Sequence, residues 1–453
     1  MRVVLIGFMG SGKSSVAEAL AAKTGYDLVE TDAEALARSE CNSITEIFDA
    51  HGEESFRALE GDVLRSALKR GNLIVSSGGG ILELVENRRA LRELRTSTEG
   101  EETCVVYLDT HFETITRRLQ GDNSRPLFRS LSDAEHLFAH RLPQYREAAD
   151  LIIPTDTLSA EEVAELIMRV AMKTRVGVDR VGADGGIWMV IGDPVGHSRS
   201  PRLHGALLYE MGMPHRHFVA YRVRELASFF KEFRMNNSLQ GLAVTVPHKE
   251  SVMSFLDDIS EEARAIGSVN TVVKVGEVLH GYNTAWLGIQ APLQQRNAIR
   301  GKRVAILGAG GTARAALFAV CSEASQVTLI NRTVERAAAL AAEFQVAATP
   351  LQEVATLTDF DTVIQTTSAE LLAGGSPLFD SSAFRDGMVV LDAVYTPEWT
   401  PFLKAARAAG AVCITGREMF LAQAAAQFAL HHGSEVSWEV MREKPEQEAF
   451  CEL

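Results

Sequence analysis

Two loops in this sequence combine glycines with side chains suited to holding phosphates. The first, Gly7-Phe8-Met9-Gly10-Ser11-Gly12-Lys13-Ser14, fits G-x-x-x-x-G-K-[ST] between an apolar run and the helix-forming SVAEALAAK. Glycines let backbone N–H groups turn onto phosphate oxygens and the following helix N-terminus adds positive potential. The lysine reaches the β/γ-phosphates, and the serine hydroxyl can ligate Mg²⁺. Gly10, Ser11, Gly12, Lys13, Ser14 and Ser15 are the expected nucleotide-binding residues. The second loop, Gly308-Ala309-Gly310-Gly311-Thr312-Ala313, follows the strand-like KRVAIL and fits the dinucleotide turn G-x-G-x-x-A. The next apolar run, QVTLI, ends in Asn331-Arg332-Thr333, where an acidic residue would receive a ribose 2′-hydroxyl. An arginine pairs instead with a 2′-phosphate, so NADP is predicted over NAD.

The elements that must position these loops are legible as β-branched runs alternating with amphipathic stretches. Strands are expected at Arg2 to Ile6, Leu73 to Val75 and Cys104 to Leu108, and again at Val304 to Leu307, Val327 to Ile330, Thr362 to Gln365 and Met388 to Asp392. Such alternation implies α/β domains with parallel sheets. The chain of 453 residues is roughly three times one domain's usual span, so two or three domains are expected. With 46% hydrophobic and 23% charged residues it can bury ordinary cores, which excludes a fibrous or disordered chain. A net charge of −14 argues against nucleic acid or an anionic membrane as partner. Cys41, Cys104, Cys321, Cys413 and Cys451 are scattered without metal-ligand spacing, which suits a reducing cytoplasm. No apolar run is long enough to span a membrane.

Around the first loop stand LVETDAEAL, GEESFRALE, VSSGGGI, GDNSRPLFRS and RLPQYREAAD. Together these resemble shikimate kinase. The resemblance implies that Asp32, Arg57, Arg141 and the triplet Gly78, Gly79 and Gly80 bind shikimate, the two arginines taking its carboxylate. It also makes Arg125 a lid residue on the transferred phosphoryl group and Arg118 an adenine-side residue. An attacking hydroxyl needs an acceptor and a carboxylate needs arginine forks, which suits these types. Glu30 replaces the first Asp of the family's D-T-D pattern, so Ser14 and Glu30 are the implied Mg²⁺ residues.

Farther on, IWMVIGDPVGHSRSPRLHGALLYEMGM, GLAVTVPHK, AIGSVNTVV, GYNTAWLG and TGREMFLAQAAAQF resemble shikimate dehydrogenase. The resemblance implies that Ser198, Ser200, Thr245, Asn270, Tyr395 and Gln423 contact shikimate and that Lys249 is the catalytic lysine. Gly308, Ala309, Gly310, Gly311, Thr312, Asn331, Arg332, Thr333, Thr366, Gly416 and Met419 would face NADP. Ala243 and Gln365 depart from the family pattern. The consequential departure is Ala285 in Asn283-Thr284-Ala285, where the family carries an Asp beside the lysine.

The implied fold class is α/β: a P-loop kinase with a three-layer parallel sheet, followed by a two-lobed dehydrogenase with a Rossmann NADP-binding lobe. The expected boundaries are 1–172 for the kinase, 173–186 for a linker, 187–294 for the substrate lobe, 295–433 for the NADP lobe and 434–453 for a tail. The implied activity is bifunctional, NADPH reduction of 3-dehydroshikimate followed by MgATP phosphorylation of shikimate, with the dehydrogenase weakened by Ala285. The arrangement is similar to part of the fungal pentafunctional shikimate-pathway protein. Two alternatives stay open at this stage: an active kinase fused to a silent NADP- and shikimate-binding module, and a quinate dehydrogenase.

Overall fold

The run RVVLI is buried almost end to end, as a strand covered on both faces by helices must be. The computed structural model describes residues 1–96, 102–119, 131–172, 185–367, 378–438 and 441. It divides the chain into two compact units, Met1–Leu239 and Gln240–Leu453. Arg125 and nearly all of the expected linker lie outside the described residues.

In the first unit β1 (Arg2–Ile6), α1 (Lys13–Thr24), β2 (Asp27–Glu30), α2 (Thr31–Arg38), α3 (Ile44–Ala67), β3 (Leu73–Ser76), α4 (Val85–Thr96), β4 (Thr103–Asp109), α5 (Phe112–Leu119), α6 (Leu131–Ala148), β5 (Leu151–Pro154) and α7 (Ala160–Val170) alternate in sequence. The strands lie parallel in the order β2-β3-β1-β4-β5. The chain continues through β6 (Gly186–Gly192), α8 (Ser200–Glu210), β7 (Arg216–Arg222) and α9 (Leu226–Met235). β7 pairs antiparallel with β5, with Leu151 opposite Tyr221 and Ile152 opposite Ala220, and β6 lies parallel to β7.

This pairing adds the stretch that follows the expected linker to the first sheet, and the first compact unit extends to Leu239. A bidentate ion pair reinforces the junction. Arg202 of α8 donates from Nε to Asp109 Oδ2 at 2.7 Å and also bonds Oδ1, with each side chain only 6% exposed. Burial pushes the Asp109 carboxyl up, but the Arg202 guanidinium more than offsets this and holds it well below the usual carboxylate range. Arg224 adds an ion pair to Asp150 at 3.0 Å, and a Cβ on Gly196 would run into the backbone of Arg146.

In the second unit β8 (Leu239–Val244), β9 (Asp258–Ile259), β10 (Thr271–Val275) and β11 (Val278–Tyr282) pair in the order β8-β10-β11-β9, with β10 antiparallel to both β8 and β11 and α10 (Glu261–Ile266) between β9 and β10 in sequence. α11 (Ala285–Gln295) leads into β12 (Arg303–Leu307), α12 (Gly311–Val320), β13 (Gln326–Asn331), α13 (Val334–Phe344), β14 (Ala347–Pro350), β15 (Thr362–Gln365), β16 (Val389–Asp392) and β17 (Val412–Ile414). These last strands are all parallel, in the order β14-β13-β12-β15-β16-β17. The order reverses between β12 and β15, which opens a crevice at their carboxyl ends. A final helix, Gly416–His432, packs closely on α11: a Cβ on Gly288 would lie 2.6 Å from the Met419 carbonyl oxygen. Among the described residues no helix is long and apolar enough to cross a membrane, and no cluster of His, Cys, Asp and Glu could hold a metal.

Candidate functional sites

In the first unit the loop between β1 and α1 turns through left-handed φ at Gly10 (77°) and Gly12 (92°), a conformation that side chains with a Cβ resist. Lys13, nearly buried, donates from Nζ to the carbonyls of Gly7 and Phe8 at 2.8 Å each, drawing the loop around its ammonium. The buried Ser11 Oγ has no hydrogen-bond partner among the described residues. Arg118, on α5, donates to Gly10 O at 3.4 Å and Thr155 O at 3.2 Å, which sets it beside the same loop.

A cavity of about 670 Å³ opens here and gathers most of the residues singled out on the kinase side. Its wall includes Gly10, Gly12, Lys13, Ser14, Ser15, Glu30, Asp32, Arg57, Gly78, Gly79, Gly80 and Arg141. Glu30 ends β2 and Asp32 stands in the first turn of α2. A Cβ on Gly78 would run into carboxylate oxygens of Glu60 and Asp32, and one on Gly80 into the Arg57 guanidinium. The glycine triplet is thus the surface against which the charged groups close.

Glu60, which sequence reasoning missed, anchors the arrangement. It is fully buried on α3, accepts from Arg57 Nη1 at 2.9 Å and from Thr31 Oγ1 at 3.3 Å, and faces Asp32, whose buried Oδ1 meets no aligned hydrogen-bond partner among the described residues. Its signal was the i,i+3 spacing from Arg57 on one helix. Burial raises the Glu60 carboxyl, Arg57 lowers it and Asp32 raises it again, leaving it at about 7. A group raised on folding stabilises fully below its ordinary value of 4.5 and loses that contribution as pH rises through about 7. Glu60→Gln, neutral at every pH, is expected to remove on the order of 1–3 kcal/mol of pH-dependent loss between those values. Denaturant melts across that range would measure it; parallel slopes in the two proteins refute the assignment.

Ser198 and Ser200 stand at the N-terminus of α8, where Ser200 N donates to Ser198 Oγ at 3.3 Å. Arg202 follows them on the same helix.

In the second unit Thr245 and Lys249 lie in the turn after β8. The Lys249 carbonyl accepts from Val269 N at 2.8 Å. Next to it Asn270 donates to Thr284 Oγ1 at 3.1 Å and accepts from Thr284 N at 2.8 Å, all of it buried. Asn283 holds the Ser268 carbonyl at 2.9 Å and receives the Ala285 N–H at 2.9 Å. One network therefore ties the Lys249 turn to Ala285, the first residue of α11. Gln427 of the last helix donates to Asn270 O at 3.1 Å and Thr271 Oγ1 at 2.9 Å, extending a set that sequence reasoning represented by Gln423. Burial alone pushes the Lys249 ammonium pKa down. Tyr395 stacks on Phe420 with centroids 5.4 Å apart, and Gly416 meets the backbone of Val394 and Tyr395.

At the crevice, Gly308 leaves β12 with φ 116°, a left-handed value, and abuts Thr366 and Thr367 at the end of β15. Thr366 Oγ1 donates to the Leu307 carbonyl at 2.6 Å. Positions Gly310 and Gly311 face open space where a Cβ would stand, at the start of α12. Arg332 is exposed at the end of β13, beside Asn331, whose Nδ2 donates to the Thr333 carbonyl at 2.9 Å.

Comparison with known proteins assigns three stretches of the chain to families. Residues 9–171 match the shikimate kinase family, residues 190–272 the shikimate dehydrogenase substrate binding domain and residues 292–387 the shikimate/quinate 5-dehydrogenase family. The NADP(+) shikimate dehydrogenase of Syntrophobacter fumaroxidans is 39% identical over 53% of this chain and 85% of its own length. That of Nitrosopumilus maritimus is 37% identical over 57% and 97%. The crystal structure of shikimate 5-dehydrogenase from Thermus thermophilus with NADP(H) and shikimate is similar at 32% identity and a TM-score of 0.54, covering 59% of this chain and all of the other. Quinate dehydrogenase from Corynebacterium glutamicum with NAD is similar at 27% identity and 0.53, covering 59% and 99%.

Proposed function

Because this chain belongs to the shikimate dehydrogenase family and carries a shikimate kinase domain ahead of the dehydrogenase, we propose that it performs two consecutive steps on one metabolite. The first is reduction of 3-dehydroshikimate to shikimate, and the second is phosphorylation of shikimate at a hydroxyl. NADPH, when bound, supplies the hydride, and MgATP the phosphoryl group. The observation that carries the reading is the cavity in which the phosphate loop, Asp32, Arg57, the glycine triplet and Arg141 meet.

The inward-turning loop and the orphaned Ser11 hydroxyl suit a polyphosphate. Ser14 and Glu30 would hold Mg²⁺. Asp32, with an unsatisfied buried oxygen, orients or deprotonates the attacking hydroxyl. Lys13, together with Arg125, neutralises charge on the transferred group. In the dehydrogenase, Ser198, Ser200, Thr245, Asn270, Tyr395 and Gln423 contact shikimate, and Lys249 gives a proton to the carbonyl oxygen being reduced. The open backbone at Gly310 and Gly311 admits a pyrophosphate at a helix N-terminus, and exposed Arg332 suits a 2′-phosphate. Arg332→Ala is expected to raise KM for NADP about tenfold and leave KM for NAD unchanged; equal effects on both would refute that role.

A cytoplasmic setting belongs to the same reading, supported by the free thiols of Cys41, Cys104, Cys321 and Cys413. The deciding experiment is a paired assay of ATP-dependent shikimate phosphorylation and NADP-dependent shikimate oxidation on one preparation, run with quinate in parallel. Ala285 favours a second reading, in which the dehydrogenase half binds NADP and shikimate without turnover. Calorimetric binding of both with no activity in either direction would establish it.

A further inference from the structure

We infer that Glu83 is a specificity-determining residue of the kinase, an internal carboxylate that a substrate carboxylate must displace. The inference rests on the reading that Arg57 and Arg141 receive the carboxylate of shikimate. Glu83 lies three residues past the glycine triplet, in the turn where its N–H donates to Gly80 O at 2.9 Å. Its Oε1 accepts from Arg141 Nε at 2.8 Å, and its Oε2 lies 3.5 Å from Arg57 Nε. Among the described residues it is the one carboxylate paired with both arginines.

The other acidic neighbours divide by burial. Glu60 is fully buried against Arg57 Nη1 and serves as a fixed anchor. Glu53, one turn before Arg57, accepts from Arg57 Nη2 at 3.0 Å and is 41% exposed, but among the described residues it pairs with Arg57 alone. Glu83 is 27% exposed, so its side chain has solvent to move into while the arginines, 8% and 2% exposed, stay in place. Arg141 Nη2 lies 2.8 Å from Glu83 Oε1 yet is not aligned to hydrogen-bond it, so a buried donor at the cavity wall remains unsatisfied. An incoming carboxylate that aligns with this donor gains what Glu83 does not supply, whereas a neutral polyol cannot replace a carboxylate on two guanidinium groups. Binding is thus an exchange of one carboxylate for another. It rejects uncharged analogues and weakens affinity for the correct substrate.

The test is steady-state kinase kinetics on the full chain. Glu83→Gln is expected to lower KM for shikimate about three- to tenfold while kcat and KM for ATP stay within about twofold. Loss of a merely structural contact would raise KM or lower kcat. Arg141→Lys and Arg57→Lys, measured alongside, are expected to raise KM for shikimate. If both leave it unchanged, the reading of the arginines as the carboxylate site fails. If either raises it while Glu83→Gln leaves KM unchanged or higher, that reading stands and the inference about Glu83 is overturned.

Discussion

Ala285→Asp is expected to raise NADP-dependent oxidation of shikimate by about 10²- to 10⁴-fold, the usual contribution of a positioned acid–base partner. The position is prepared for it. Ala285 opens α11, where a carboxylate is favoured by the helix dipole, and its N–H is already held by Asn283 in the network that reaches Ser268, Val269 and the Lys249 carbonyl. Burial now lowers the Lys249 pKa with no acid to oppose it. A carboxylate nearby favours the charged lysine, so the alkaline limb of the pH profile should move to higher pH in the variant. Kinase activity of the same preparation is the internal control. Equal dehydrogenase rates in the two proteins would show that Ala285 costs nothing, and absence of turnover in both would favour the silent-module reading.

Arg202→Ala is expected to destabilise the first unit by about 3–5 kcal/mol, because Asp109 would then be a buried carboxylate without its cation. Asp109→Ala should cost a similar amount, and the double variant much less than the sum, since each single change already forfeits the pair. Denaturant melts of the full chain measure all three. The pair joins two functional neighbourhoods. Asp109 ends β4 just before α5, which carries Arg118, and its carbonyl accepts from Thr155 N. Arg202 stands two residues after Ser200 on α8. Both activities should therefore fall at the same denaturant concentration in Arg202→Ala. Single variants within about 0.5 kcal/mol of the parent would overturn the assignment.

The parallel strands and both glycine loops were legible because each is a local pattern: a buried apolar run, then a turn that only certain residues can make. Thus Arg2–Ile6 and Thr362–Gln365 match their expected spans, and β12 is one residue longer than expected. Most kinase-side residues line one cavity, the phosphate loop, Asp32 and the glycine triplet because each follows the end of β1, β2 or β3. What was not legible is non-local. Nothing in LIIP announces that RHFVAYR will pair with it, because an edge strand looks the same whether or not it has a neighbour. Glu83 was invisible for a related reason: a single acid in the turn after GGG acquires meaning only when arginines from two different helices arrive at it. Glu60 lay within a quoted motif, yet its approach to Asp32 depends on α2 and α3 meeting.

The β5–β7 pairing also sets a timetable for synthesis. Strand β5 ends at Pro154 and β7 is not complete until Arg222, so a kinase domain emerging first waits for roughly 70 more residues, about 4–14 s of translation, with one sheet edge bare. An uncovered edge is a template for association with other chains. β5 is only four residues long and is closed by a proline that has no N–H to offer, two features that limit such pairing during the wait. A chain cut in the segment 173–186 would make that temporary exposure permanent.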